Sequence, residues 1–196
     1  MWNTWHFVTL LSALSLVQPC CLPRQIQFDM IASGYEEFDG ERFDYTETRT
    51  FYYDEDRNCT FIRAEPDGFQ LNILTNYSSG IEYMVSEICE MRVVPNKFDK
   101  MCLPDNAVFQ MEMTSGNGSK VHVYEADIRE FYGVLKREYG VVHTGNSCYF
   151  LWWKDKAKVI ELEGWGMSSE SYSFMNIRTQ ISDHSVFDVP EECPRS

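Results

Sequence analysis

The chain has 196 residues and a formal charge of −13 at pH 7, a balance that repels nucleic acid and anionic membrane and excludes both as partners. Aromatic residues make up 15% of it, and Val, Ile, Thr, Tyr and Phe crowd into short segments, which suits strands better than helices.

Residues 1–18 contain no Lys, Arg, Asp or Glu, and Phe7 through Val17 form an apolar run before Gln18 and Pro19. This is the profile of a secretory signal peptide, with cleavage expected between Ser15 and Gln18. The run falls short of the ~20 apolar residues that cross a bilayer. Residues 19–196 are then one domain's worth of chain, delivered to the extracellular space, and no second domain is expected.

Seven cysteines follow the leader: Cys20, Cys21, Cys59, Cys89, Cys102, Cys148 and Cys193. In an oxidising compartment disulfides are the default, and the absence of a CxxC pair argues against a zinc site. An odd count leaves at least one sulfur over, either buried and inert or paired with another chain.

In chain order, the acidic runs Glu36-Glu37-Phe38-Asp39 and Asp54-Glu55-Asp56, with Glu191-Glu192 near the end, offer oxygen ligands of the kind calcium prefers. The reading as solvated faces that keep the protein soluble outweighs the calcium one, and no specific metal ligands emerge. Phe69, Leu71 and Ile73 alternate, Asn76 to Gly80 supplies turn residues, and Ile81, Tyr83 and Val85 resume the period, which predicts a β-hairpin. A second hairpin is predicted from Phe109, Met111 and Met113 through Ser115 to Ser119 into Val121 and Val123. The stretch Glu125 to Tyr139 mixes helical and extended spacing and is read as strand and loop. Tyr149 to Trp153 reads as a strand buried on both faces, with Lys154-Asp155-Lys156 as the turn into Val159 to Leu162. The sum is a mainly β architecture with few short helices, an antiparallel sandwich or open half-barrel.

Three sequons place possible glycans at Asn58, Asn76 and Asn117, the last two in predicted turns. No GxSxG, HExxH or phosphate-binding loop occurs, and His122, His143 and His184 look isolated, so no catalytic residue and no organic cofactor are assigned. Met84, Met91, Met101, Met111, Met113, Met167 and Met175, with Trp152, Trp153 and Trp165, either line an adaptable apolar pocket or fill a core. The pocket-lining candidates are Phe69, Leu71, Ile73, Tyr83, Phe109, Met111, Met113, Leu151 and Trp153.

Several segments together resemble the ependymin-related proteins over nearly the whole mature chain. They are Pro19-Cys20-Cys21-Leu22-Pro23, the strand Ile81 to Val85 leading to Cys89, Leu103-Pro104-Asp105-Asn106-Ala107-Val108-Phe109, and Asn146-Ser147-Cys148-Tyr149. The most specific is the closing stretch from Asp183-His184-Ser185-Val186-Phe187 to Pro190 and Cys193, where His184 stands in place of the family's usual Pro. The resemblance implies two stacked antiparallel sheets around a deep apolar pocket. It also implies a secreted glycoprotein associated with calcium, lipid-like ligands and cell-matrix adhesion, and able to form a homodimer. By the same correspondence Cys20 pairs with Cys148 and Cys89 with Cys193, each bridge contributing ~4 to 5 kcal/mol in the chain-entropy picture. The third bridge of vertebrate members, to a Cys beyond the closing motif, has no counterpart here, which leaves Cys21, Cys59 and Cys102 unassigned, with Cys59 to Cys102 expected as a third pair. A surface-acting adhesion component with no ligand cavity is the alternative to a carrier.

Overall fold

The computed structural model describes residues 20–38, 40–130, 133–144, 147–161 and 164–194; the expected leader, residues 1–18, lies outside them, as do the side chains of Trp165 and Met167. Eleven strands are described: β1 (Gln25–Phe38), β2 (Glu41–Asp54), β3 (Cys59–Ala64), β4 (Leu71–Asn76), β5 (Ile81–Val85), β6 (Cys89–Val93), β7 (Val108–Thr114), β8 (Lys120–Glu130), β9 (Gly133–Thr144), β10 (Ser147–Glu161) and β11 (Gly164–Arg178). Two short 3₁₀ turns, Pro66–Gly68 and His184–Phe187, are the helical content of the described residues.

All strands join one antiparallel sheet in the order β6-β5-β4-β3-β2-β1-β11-β10-β9-β8-β7. Two meanders, β1 to β6 and β7 to β11, therefore meet where the first strand pairs with the last. The expected pair of stacked sheets is corrected to one sheet, because the ladder between β1 and β11 runs unbroken from Asp29↔Met175 to Glu37↔Met167 and leaves no gap between the halves. Both predicted hairpins form, as β4–β5 and β7–β8. In the first turn Ser79 donates its N–H to Asn76 Oδ1 at 3.0 Å, and Gly80 takes φ 68°, a region that glycine enters without a Cβ penalty.

The turn expected at Lys154-Asp155-Lys156 is instead the middle of β10, which continues to Glu161. Asp155 is buried there because Arg137, opposite it on β9, donates Nε to Oδ1 at 2.5 Å and a second N–H to Oδ2 at 2.6 Å. A carboxylate with a bidentate guanidinium partner can sit inside a sheet where an unpaired one could not.

The sheet carries a core on each face. On the front, Ile26, Phe28 and Met30 of β1 pack with Tyr53, Tyr139, Val141, Phe150 and Phe174, covered by Leu22 and by Phe98, Met101 and Leu103 of the long connection between β6 and β7. The aromatic contacts are close: Phe28 and Phe174 rings are 5.0 Å apart and Trp153 and Phe174 rings 4.8 Å. On the back, Tyr52, Cys59, Phe61, Leu74, Tyr83 and Val85 are covered by Ile181, Val186 and Phe187 of the C-terminal segment. Strand β2 is thus covered on both faces, through Tyr53 in front and Tyr52 behind. Fully buried Asp54 accepts from Gln25 Nε2 at 3.2 Å and from the Arg57 N–H at 3.1 Å, with His184 Nδ1 3.7 Å away.

A cleft where strand ends converge

Three disulfides are present among the described residues: Cys20–Cys148, Cys89–Cys193 and Cys21–Cys102. The first fastens the segment before β1 to the start of β10. The second fastens the C-terminal segment to the start of β6, which holds the back-face roof in place. The expected Cys59–Cys102 pair is corrected: Cys21 and Cys102 face each other in a local bridge, while Cys59 is a free thiol inside the back core. Burial, with Asp54 nearby, raises the Cys59 pKa, which keeps it protonated and poorly reactive.

The principal cleft lies at one end of the sheet. The turn after β7, the end of β9, the start of β10 and the chain leaving β11 converge there and leave a cleft of about 670 Å³. Val142, Tyr149, Leu151, Ile177 and Ile181 supply its apolar wall, and Asn117, Ser119 and Arg178 are among its polar groups. The Asn117 turn is ordered by its own hydrogen bonds: Ser119 N–H donates to Asn117 Oδ1 at 3.1 Å, and Ser115 N–H to the Ser119 carbonyl at 2.9 Å. An apolar wall with a few polar groups at the margin suits a ligand with a greasy body and one hydrogen-bonding end.

The front face also carries a polar row. Glu170 on β11 accepts hydrogen bonds from Tyr45 and Tyr172; burial first, then these bonds to a carboxylate, push both phenols well above their ordinary pKa. The Arg137–Asp155 pair adjoins it, with the guanidinium carbon 5.2 Å from the Trp153 ring centroid. In both clusters the carboxylate is held by two donors. The histidines expected to be isolated are not: the His122 and His143 rings lie 5.0 Å apart, His122 Nε2 is 3.2 Å from Glu112 Oε2, and His143 Nε2 is 3.3 Å from the Tyr124 hydroxyl. Burial, then His122, lower the pKa of His143. Cross-strand register brings these residues together, which spacing along the chain does not show.

A family profile described as Ependymin matches residues 65–193. The chain belongs to the ependymin family. The ependymin match takes in β4 through β11 and the back-face roof, hence all the residues of the cleft just described. Among solved structures, a putative outer membrane lipoprotein-sorting protein domain from Vibrio parahaemolyticus shares 8% identity at a TM-score of 0.34, covering 83% of this chain and 89% of that one. A DUF1329 family protein from Desulfovibrio piger ATCC 29098 shares 12% identity at a TM-score of 0.25, covering 85% of this chain and 90% of its own. At those scores neither bears on what this ependymin-type chain binds. No curated protein matches it.

The pocket candidates scatter over this ependymin sheet. Leu151 lines the main cleft, Ile73 lines a smaller cavity on the front face, and Trp153 borders a void of about 10 Å³ in the front core. Leu71 is half-buried in β4, and Tyr83 is buried in the back core. Phe69, Phe109, Met111 and Met113 are corrected: they are 66%, 52%, 57% and 45% exposed. Phe69 follows the first 3₁₀ turn, outside any strand, and the other three belong to β7, an edge strand exposed along its whole length among the described residues. The three sequons lie at strand ends or turns, Asn58 with φ 52° before β3, Asn76 closing β4 and Asn117 in the turn after β7. No group of three His, Cys, Asp or Glu among the described residues is placed to hold a metal ion; of the acidic runs, Glu55 pairs with Lys100 at 2.6 Å and Asp56 with Arg24.

Proposed function

We propose that the mature protein, residues 19–196, is a secreted, glycosylated, non-enzymatic ependymin that carries an apolar or lipid-like molecule in the cleft at the end of its sheet. The supporting observation is the cleft itself: about 670 Å³ with an apolar wall from Val142, Tyr149, Leu151, Ile177 and Ile181 falls within the ~300–1,000 Å³ range of small-molecule sites. Three disulfides and an apolar leader are in keeping with export. Because Asn117 belongs to the cleft's margin, a glycan there stands at the entrance. Calcium, in this reading, associates with the exposed carboxylates of the acidic surface rather than with the cleft.

The test is titration of delipidated protein with a fluorescent fatty acid. Saturable binding that is lost in Leu151→Arg, with the fold retained by circular dichroism, supports the carrier; absence of saturable binding to the unmodified protein overturns it. A melting temperature unmoved by millimolar CaCl₂ overturns the calcium association, since a ligand of the native state raises apparent stability. The adhesion reading has one observation in its favour, the exposed apolar side chains of edge strand β7, and predicts matrix binding that Leu151→Arg leaves intact.

A further inference from the structure

A second cavity, separate from the cleft, lies on the front face of the other half of the sheet. Cross-strand register aligns one residue from each of five strands in a single row: Tyr53↔Thr60, Thr60↔Thr75, Thr75↔Glu82 and Glu82↔Arg92. The connection between β6 and β7 crosses above this floor and sets the Phe98 ring 4.9 Å from that of Tyr53 and 5.3 Å from that of Tyr77, the latter nearly perpendicular at 87°. Between floor and roof remains a cavity of about 280 Å³, with Phe51 and Ile73 behind.

Its floor holds an incompletely satisfied carboxylate. Glu82 is only 7% exposed. Its Oε2 accepts from the Thr75 hydroxyl at 2.8 Å. Oε1 lies 2.6 Å from Arg92 Nε, close enough for ionic attraction, yet it is buried with no aligned donor. A hydrogen bond depends on direction as well as distance, so the ion pair leaves this acceptor unsatisfied. Buried acceptors without donors are rare in folded proteins and point to a missing partner. Asp99 adds a second carboxylate to the lining against the single guanidinium of Arg92, although Lys97 Nζ sits 2.6 Å from Asp99.

An electron-rich aromatic wall over a carboxylate is the arrangement that recognises organic cations, by cation–π attraction and a charge-assisted hydrogen bond. We propose that this cavity binds a small primary ammonium with an apolar body, its N–H₃⁺ donating to Glu82 Oε1 and its body lying against Tyr53, Tyr77 and Phe98. The volume is below the range of drug-sized sites, ~300–1,000 Å³, and suits a monoamine rather than a lipid chain.

Calorimetric titration with phenylethylammonium chloride, against 2-phenylethanol as the neutral counterpart, tests this. Saturable binding of the ammonium, at least about tenfold tighter than the alcohol, supports the site, as does loss of that preference in Glu82→Gln. Phe98→Ala, on the crossing segment rather than in the sheet, weakens the ammonium several-fold and serves where Glu82→Gln does not fold. No saturable binding of the ammonium, equal affinity for the alcohol, or unchanged affinity in Phe98→Ala or a folded Glu82→Gln overturns the proposal.

Discussion

The indole of Trp152 lies directly on the backbone of Gly140: a Cβ at that glycine would sit 2.8 Å from Cδ2 and closer still to Nε1 and Cε2. The register shift in β10 between Phe150 and Trp152 turns the indole onto this spot, and Lys154 Nζ sits 5.1 Å from its ring centroid. Gly140→Ala must push a rigid ring off a strand, and overpacking of this kind costs ~1–3 kcal/mol. A urea titration is expected to show a lower midpoint with an unchanged slope; an unshifted midpoint would mean the ring moves freely.

Removal of one partner from the buried ion pair is a harsher change. Arg137→Met leaves the Asp155 side chain, 10% exposed, without its two donors. The expected loss is ~3–5 kcal/mol, whereas replacing both residues with apolar ones of similar size is close to neutral. Chemical denaturation of Arg137→Met and of Arg137→Met/Asp155→Leu distinguishes the two.

Tyr53 sets an alkaline limit. Burial first, then Glu55, push its pKa from 10.0 up to about 12. The neutral phenol is favoured in the folded state, so its stabilising effect is complete below pH 10 and is lost as the pH rises from about 10 to about 12. Unfolding free energies measured across that window fall more steeply for the native protein than for Tyr53→Phe, and parallel slopes would rule this out.

Thiol chemistry distinguishes the pairing. With Cys59 buried and three bridges closed, the folded protein should be inert to a thiol reagent. In denaturant without reductant one thiol per chain reacts, and peptide mapping places the label on Cys59. Label on Cys21 instead would support a Cys59–Cys102 bridge and overturn the arrangement described above.

How far the sequence announced all this depends on the range of the interaction. Ile81, Tyr83 and Val85 declared a hairpin because alternation and a Gly-ended turn lie within one short stretch. Phe109, Met111 and Met113 alternate just as well, but alternation does not say whether anything covers the face, and β7 is an edge. Lys154-Asp155-Lys156 looked like a turn because its neutralising partner, Arg137, is far away along the chain and adjacent only after β9 and β10 pair. The expected Cys59–Cys102 bridge fails for a similar reason, since Cys102 lies on the crossing connection, whose path to Cys21 no local pattern sets. The main cleft was legible only at Leu151; Val142, Tyr149 and Ile177 join it through strand ends that converge in space.

The pairing of β1 with β11 has a consequence for biosynthesis. Translation delivers β1 early and its partner β11 last of the strands, so one edge of β1 stays unpaired while β2 holds the other, and Ile26, Phe28 and Met30 lack the cover of Phe174 until almost the whole protein has emerged. Such long-range closure is slow and leaves an aggregation-prone edge open meanwhile. Chaperone demand during synthesis should therefore be set by the wait for β11, and a message truncated before that strand yields two half-sheets tied by the Cys20–Cys148 bridge but with no ladder between them, rather than a smaller working sheet.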